Sequence, residues 1–563
     1  MNTKLFLLIP ALLVLYSCNR KPAYDTIIRN GTIYDGSGGK AVRADVGIKK
    51  DTIAYIGDLS NEDASNVVNA NGLAVAPGFI NIQSWAAVPL IEDGRSMSEI
   101  TQGVTLEVFG EGESEGPFTP AMQKEEEQYE GDFKYKVQWH TLKDFLLYLQ
   151  QRGVSPNVAS FVGATTIRRY VLDRADKQPD SAQLGQMQSL VRQAMEGGAM
   201  GVGSALIYAP AFYAKTGEIV TLCKAAAPYG GTYISHVRSE SNQLLQAADE
   251  LIRISEQAHI PAMFYHLKAE GKDNWYKMDK LIAKIDSARR AGLDIAACMY
   301  TYTAGATGLD ASMPPWVQEG GLDAWINRMK DPVVRKKLIK EMTTPTNDWE
   351  NLFLAAGPQG VLFTSFRQDS LKYLNGKRLS EIAAMRHQSP AETMIELVTE
   401  DHSRVETIYF HMTEDNVKKE LRLPYMSLGS DAPSIAPEGR NLRSSTHPRA
   451  YGNFARFLGK YVRDEKLMPL SEGIYKITGL PASQLKLRKR GLLKVGNYAD
   501  VVVFDPATIQ DHATYEKPHQ LSTGVKYVFV NGAQVIKDGT HTGAKPGRAV
   551  FGPGYKEPST TTK

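Results

Sequence analysis

Short apolar runs alternate with helical segments through the middle of the chain, and successive runs end in polar residues. The runs are Ala199–Ser204, Thr232–Val237, Ala262–Leu267 and Asp294–Tyr300. Between them lie stretches of helical periodicity, Asn242–Ala258 and Met278–Ala291. Ahead of them Ser181–Gly197 places Leu184, Met187, Leu190, Val191, Ala194 and Met195 at helical spacing. Each repeat has about the length of one βα unit. An open doubly wound sheet would give similar text. Polar residues at the ends of consecutive runs favour a barrel, whose strands aim their C-terminal ends at one site.

The two ends read differently. From Tyr24 to Gly57 short strand patterns are separated by the turns Asn30-Gly31, Asp35-Gly36 and Lys50-Asp51. Val501–Phe504, Lys526–Val530 and Gln534–Ile536, with the turn Asn531-Gly532, repeat that idiom near the C-terminus. One β domain built from both termini follows: residues 18–75 and 484–556 bracket a barrel over 76–483, and 557–563 form a disordered tail. Glu113 to Lys143, with Lys124-Glu125-Glu126-Glu127, reads as an inserted, solvated excursion, and a second insertion is expected between Thr303 and Met426.

Residues 1–17 are set apart. Lys4 precedes an apolar run from Leu5 to Leu15, and Ser17 stands directly before Cys18. The run is shorter than the roughly 20 residues that span a bilayer as a helix, so it reads as an export signal. Leu15-Tyr16-Ser17-Cys18 resembles the lipobox of bacterial lipoproteins, which implies cleavage before Cys18, acylation of its thiol and a membrane-anchored protein facing the periplasm. Plain secretion with an incidental cysteine is the alternative. Cys223 and Cys298 then remain as one candidate disulfide pair. The 65 basic and 62 acidic residues balance too evenly to imply a nucleic-acid partner.

His236 ends the run Thr232-Tyr233-Ile234-Ser235, and His266 ends Ala262-Met263-Phe264-Tyr265. One βα unit apart, they would be neighbours at a barrel rim. A catalytic zinc takes about three protein ligands and keeps one position open; Glu111, between Gly110 and Gly112 at the end of Val104–Phe109, is the third candidate. The flanking glycines would let the backbone approach a metal or substrate closely. Asp431, delivered by Pro424–Leu428, can take a proton from attacking water and pass it to a departing amine. Either histidine alone would more often be a structural hydrogen bonder; the case rests on the set. The other nine histidines fit surface or packing roles.

The chain resembles the amidohydrolase superfamily, and within it the D-aminoacylases, or N-acyl-D-amino-acid deacylases, from about Tyr24 to about Phe551. The resemblance is carried by Asn30-Gly31-Thr32-Ile33-Tyr34-Asp35-Gly36, Ala76-Pro77-Gly78-Phe79-Ile80, Gln102-Gly103-Val104-Thr105, Ser235-His236-Val237-Arg238-Ser239-Glu240, Gly429-Ser430-Asp431, His447-Pro448-Arg449 and Gly496–Asp505. It implies an α/β fold, a metal-dependent (β/α)8 TIM-like barrel with a composite β-sandwich. It also implies zinc ligation by His236 and His266, with Asp431 as acid/base. Glu111 falls where these enzymes usually supply a cysteine ligand; an oxygen there suits zinc and admits other divalent metals. Lys268, Tyr300 and Arg449 resemble the groups that hold the substrate's α-carboxylate.

Two departures stand out. Gln83 and Trp85 occupy the positions of the superfamily's His-x-His pair for a second metal, so one Zn2+ per chain is expected. Ala164 stands where deacylases often place a histidine. The leading expectation is a metal-dependent amidohydrolase that cleaves small N-acyl-D-amino acids by attack of metal-activated water. A related amidohydrolase acting on D-dipeptides, cyclic amides or fatty-acyl amino acids, and a non-catalytic ligand-binding lipoprotein, are the alternatives.

Overall fold

The structure, a computed structural model, describes residues 23–129 and 132–556. The signal over 1–17, Cys18 and the tail 557–563 lie outside the described residues. Among those described, eight parallel strands form the barrel. They are Phe79–Asn81, Val104–Phe109, Asn157–Ser160 continued by Val162–Gly163, Gly201–Ala205, Thr232–His236, Ala262–Phe264, Ile295–Met299 and Met426–Leu428. The Phe161 N–H donates to the Phe109 carbonyl and carries the third strand across its break at 2.9 Å. The circle closes where the Ile82 N–H meets the Leu428 carbonyl at 3.4 Å.

Strand alternation sorts the side chains. Ile80, Leu106, Val108, Ala159, Ile234, Met263, Ala296 and Cys298 share one cluster inside the barrel. Their strand neighbours Phe79, Phe109, Val158, Tyr233, Phe264 and Ala297 pack outward against the helices. His236, two residues beyond Ile234, keeps the inward parity and reaches the mouth. The helix Ser181–Glu196 illustrates the outer ring: Met187, Leu190, Val191 and Met195 are buried on one face. Asp180 accepts the Gln183 N–H while Gln183 caps back, a box whose leading residue contributes about 1 kcal/mol.

Strands from both termini share one nine-stranded sheet: Ala74–Pro77 from the N-terminal part pairs antiparallel with Val501–Phe504 from the C-terminal part. This is the composite β-sandwich. The last stretch leaves it for the barrel, where the Val550 N–H bonds the Val158 carbonyl at 2.8 Å.

The insertion after the seventh barrel strand folds as a unit. Gly305–Gly308, Val361–Ser365 and Glu406–Tyr409 form an antiparallel sheet with a core of its own around Trp325, Phe363 and Leu397. The excursion of Glu113 to Lys143 is less solvated than its charges suggest. Phe118, Met122 and Trp139 are buried in the main core, and Glu125 and Glu126 pair with Arg169 at 2.9 and 3.1 Å. Cys223 and Cys298 are both free and buried. Cys223 lies on the outer helix Thr216–Ala226 and Cys298 in the barrel interior, so no disulfide joins them.

Candidate metal centre

Glu111, His236 and His266 meet at the C-terminal mouth of the barrel. His236 ends the fifth strand, opposite Ala205 of the fourth. Along the sixth, Met263 and Tyr265 point inward, so plain alternation would send His266 outward. A left-handed backbone at His266, φ 35°, breaks the alternation. Asp431, after the eighth strand, is left-handed as well, at φ 50°. Non-glycine residues seldom adopt this region, and where they do the surroundings over-determine them. Glycine does the same work beside Glu111: Gly110 has φ 99°, and a Cβ there would sit 2.3 Å from the Phe161 carbonyl oxygen. Gly112 is likewise pressed against Ala205. Both glycines allow close packing against neighbouring strands, and Gly112 also borders the cavity at the mouth.

The Glu111 Oε1 atom lies 2.7 Å from His266 Nε2 and 3.7 Å from His236 Nδ1. Ligand atoms of all three fall within 4.8 Å of one another, and all three residues are buried. Ligands of a tetrahedral zinc stand roughly 3.3 to 3.5 Å apart, given bonds of about 2.0 to 2.2 Å, so the set fits a divalent ion. Burial alone would raise the Glu111 carboxyl, but His266 and His236 outweigh it and hold the group well below the usual carboxylate range. Ionised carboxylate is the form that ligates.

Sequence reasoning missed Glu240, although it lies in the same motif as His236. Its carboxylate sits behind both histidines, 3.1 Å from His266 Nδ1 and 3.4 Å from His236 Nε2. A partner at the remote nitrogen is how metal-binding imidazoles are usually oriented. Glu240 also takes the Lys268 ammonium. Burial would raise the Glu240 carboxyl, yet Lys268 and the histidines hold it well below the usual range. Glu350, from the insertion, accepts the backbone N–H groups of Glu240 and Ser241. His236, Glu240 and Glu350 form a second grouping of metal-ligand type, but there Glu240 already carries the Lys268 cation.

Asp431 stands across the mouth. Its Oδ1 accepts the indole N–H of Trp85 at 2.9 Å, and its Oδ2 lies 2.8 Å from Arg449 Nη1. That second contact is a charge contact without hydrogen-bond alignment: Nη1 and Nε of the buried Arg449 have no hydrogen-bond partner. The guanidinium lies over the Tyr300 ring at 4.4 Å, and the Arg449 N–H bonds His447 Nδ1 at 3.0 Å. Lys268 lies behind His266, 2.6 Å from its Nδ1. Glu111, His236, His266, Lys268, Tyr300, Asp431 and Arg449 all border one cavity of about 690 Å³. Ala164 begins the helix after the third strand, buried, with Thr165 on the cavity wall.

A nitrogen and oxygen ligand set at a barrel mouth, faced by a carboxylate and an under-bonded arginine, defines a metal-dependent hydrolase site. The chain matches the Amidohydrolase family over residues 153–536. It is 32% identical over 531 residues to a D-aminoacylase of Alcaligenes xylosoxydans xylosoxydans, covering 94% of this chain and 97% of that protein. The chain belongs to the amidohydrolase family, in its D-aminoacylase branch.

Solved structures agree. An N-acyl-D-glutamate deacylase from Bordetella bronchiseptica, complexed with zinc and a phosphonate that mimics the tetrahedral intermediate, superposes with a TM-score of 0.78. It is 27% identical, with 94% of this chain and 100% of that one covered. A D-aminoacylase studied for its binuclear metal centre, in which one metal activates and the second attenuates, gives 0.77 at 30% identity with the same coverage.

Proposed function

We propose that this chain hydrolyses the amide bond of N-acyl-D-amino acids, with one zinc ion held by Glu111, His236 and His266. The observation that carries the substrate class is Arg449. Two of its guanidinium nitrogens are buried without hydrogen-bond partners beside Asp431 and border the cavity. Buried donors of that kind call for an acceptor, and a carboxylate answers a guanidinium best. Tyr300 and Lys268 border the same cavity. The D-configuration and the acyl-amino-acid class are supported by the relatives.

A divalent ion between these ligands would polarise the acyl oxygen and lower the pKa of water. Asp431 takes the proton from water as its oxygen bonds to the acyl carbon, and returns it to the nitrogen as the C–N bond breaks. An acyl carboxylate and a free amino acid leave. The test is a panel of N-acetyl amino acids as D- and L-enantiomers and as α-amides. The expected result is D-acid turnover at least about tenfold above the L-acid and the D-amide, the scale of one charge-assisted hydrogen bond. No turnover on any member would refute the proposal. Lipid anchoring at Cys18 is a separate proposal, supported by Leu15–Cys18 and tested by the mass of the mature N-terminal peptide; an unacylated N-terminus would remove it.

A further inference from the structure

We infer that Gln83 and Trp85 are positioning residues that hold Glu111 and Asp431 where a second cation would otherwise stand. The inference rests on the one-ion reading above. Both residues follow the first barrel strand, at the positions that the family resemblance would give to metal-binding histidines. Each now places a hydrogen-bond donor on one of the two carboxylates of the site.

A thiolate offers a metal one atom, whereas a carboxylate offers two and can rotate. Gln83 Nε2 donates to Glu111 Oε2 at 2.6 Å, which leaves Oε1 alone to face the histidines. Gln83 is buried, and its amide has one consistent orientation, because the Cys298 thiol donates to its Oε1 at 3.2 Å. With Glu111 where the family resemblance would place a cysteine, Gln83 supplies the donor that a two-oxygen ligand needs. Trp85 does the equivalent for Asp431, through its indole N–H. With Arg449 at the other oxygen, Asp431 has a positive partner and a fixed direction without a metal.

The backbone keeps this register. The Asp431 N–H bonds the Gln83 carbonyl at 2.9 Å, and the Trp85 N–H bonds the Ala432 carbonyl at 3.0 Å. Segment 83–85 and segment 431–432 therefore move together, so the two donors stay aligned with their carboxylates.

The test uses the full-length chain and three variants, Gln83→Met, Trp85→Phe and the double variant Gln83→His with Trp85→His. Zinc stoichiometry, zinc affinity by chelator competition, kcat and KM are measured. Gln83→Met is expected to weaken zinc about 10- to 100-fold, the usual effect of losing a partner that orients a ligand. Trp85→Phe should keep one zinc and an unchanged KM, with kcat lowered about tenfold for the lost hydrogen bond. The double variant should take up a second zinc. Wild-type zinc affinity in Gln83→Met together with wild-type kcat in Trp85→Phe would overturn the inference, as would a double variant that stays at one zinc. These failures leave the proposed function intact. A wild-type chain that binds two zinc ions would overturn both.

Discussion

Asp431 is ringed by donors and reaches the mouth through a left-handed backbone, so its carboxylate is fixed before any substrate arrives. Asparagine keeps the shape and the Trp85 contact but cannot carry the proton. Asp431→Asn should retain zinc and lose roughly 10²- to 10⁴-fold in kcat, the range for general acid–base catalysis; undiminished turnover would remove Asp431 from the mechanism. Beneath the site lies a second pair of acids. Burial pushes Glu107 up to about 7 despite hydrogen bonds from Ser84, Ser96 and Asn81, and Glu99 stands well above the ordinary range, raised by burial and by Glu107. A buried carboxyl with a raised pKa binds its proton more tightly in the folded state. Stability from Glu107 is therefore present below about pH 4.5 and is lost as pH rises toward 7. Melting temperatures should fall between about pH 4.5 and 7 in the wild type and fall less in Glu107→Gln; parallel curves would contradict this.

At the scale of elements, the first and eighth strands join at Gly429. A Cβ there would stand 2.5 Å from Gln83 Cβ. Gly429→Ala must part the two strands, at a cost of about 1 to 3 kcal/mol for overpacking. Chemical denaturation measures it, and an unchanged midpoint would show that the closure is looser than described. Six of the eight barrel strands, Val104–Phe109, Gly201–Ala205, Thr232–His236, Ala262–Phe264, Ile295–Met299 and Met426–Leu428, were legible as short apolar runs, and most of those runs end beside a candidate site residue. Phe79–Asn81 and the pair Asn157–Ser160 and Val162–Gly163 are too short and broken to stand out. His236, Glu111 and Asp431 could be read from those run ends. Glu240 could not, because nothing local marks one acid at i+4 from a histidine as its partner across a bend. The burial of the Glu113 to Lys143 excursion was hidden for a similar reason: its partners Arg169 and Arg174 lie on a different unit. Cys223 and Cys298 show the limit of counting, since a cysteine on the outer helix Thr216–Ala226 cannot pair with one inside the barrel.

For the whole molecule, the barrel provides the ligands and the insertion encloses them. Glu350 ties the insertion to the loop that carries Glu240, and Arg404 and Glu406 bring its sheet to the cavity wall. The β-sandwich joins the chain ends on the outside, which leaves the mouth to the barrel loops. Everything proposed about catalysis rests on a metal between Glu111, His236 and His266. The most direct measurement is elemental analysis of the purified chain beside a His236→Ala, His266→Ala double variant. One zinc per chain in the wild type and none in the variant is the result this account requires; no metal in the wild type after zinc is added back, or zinc retained by the variant, would contradict it.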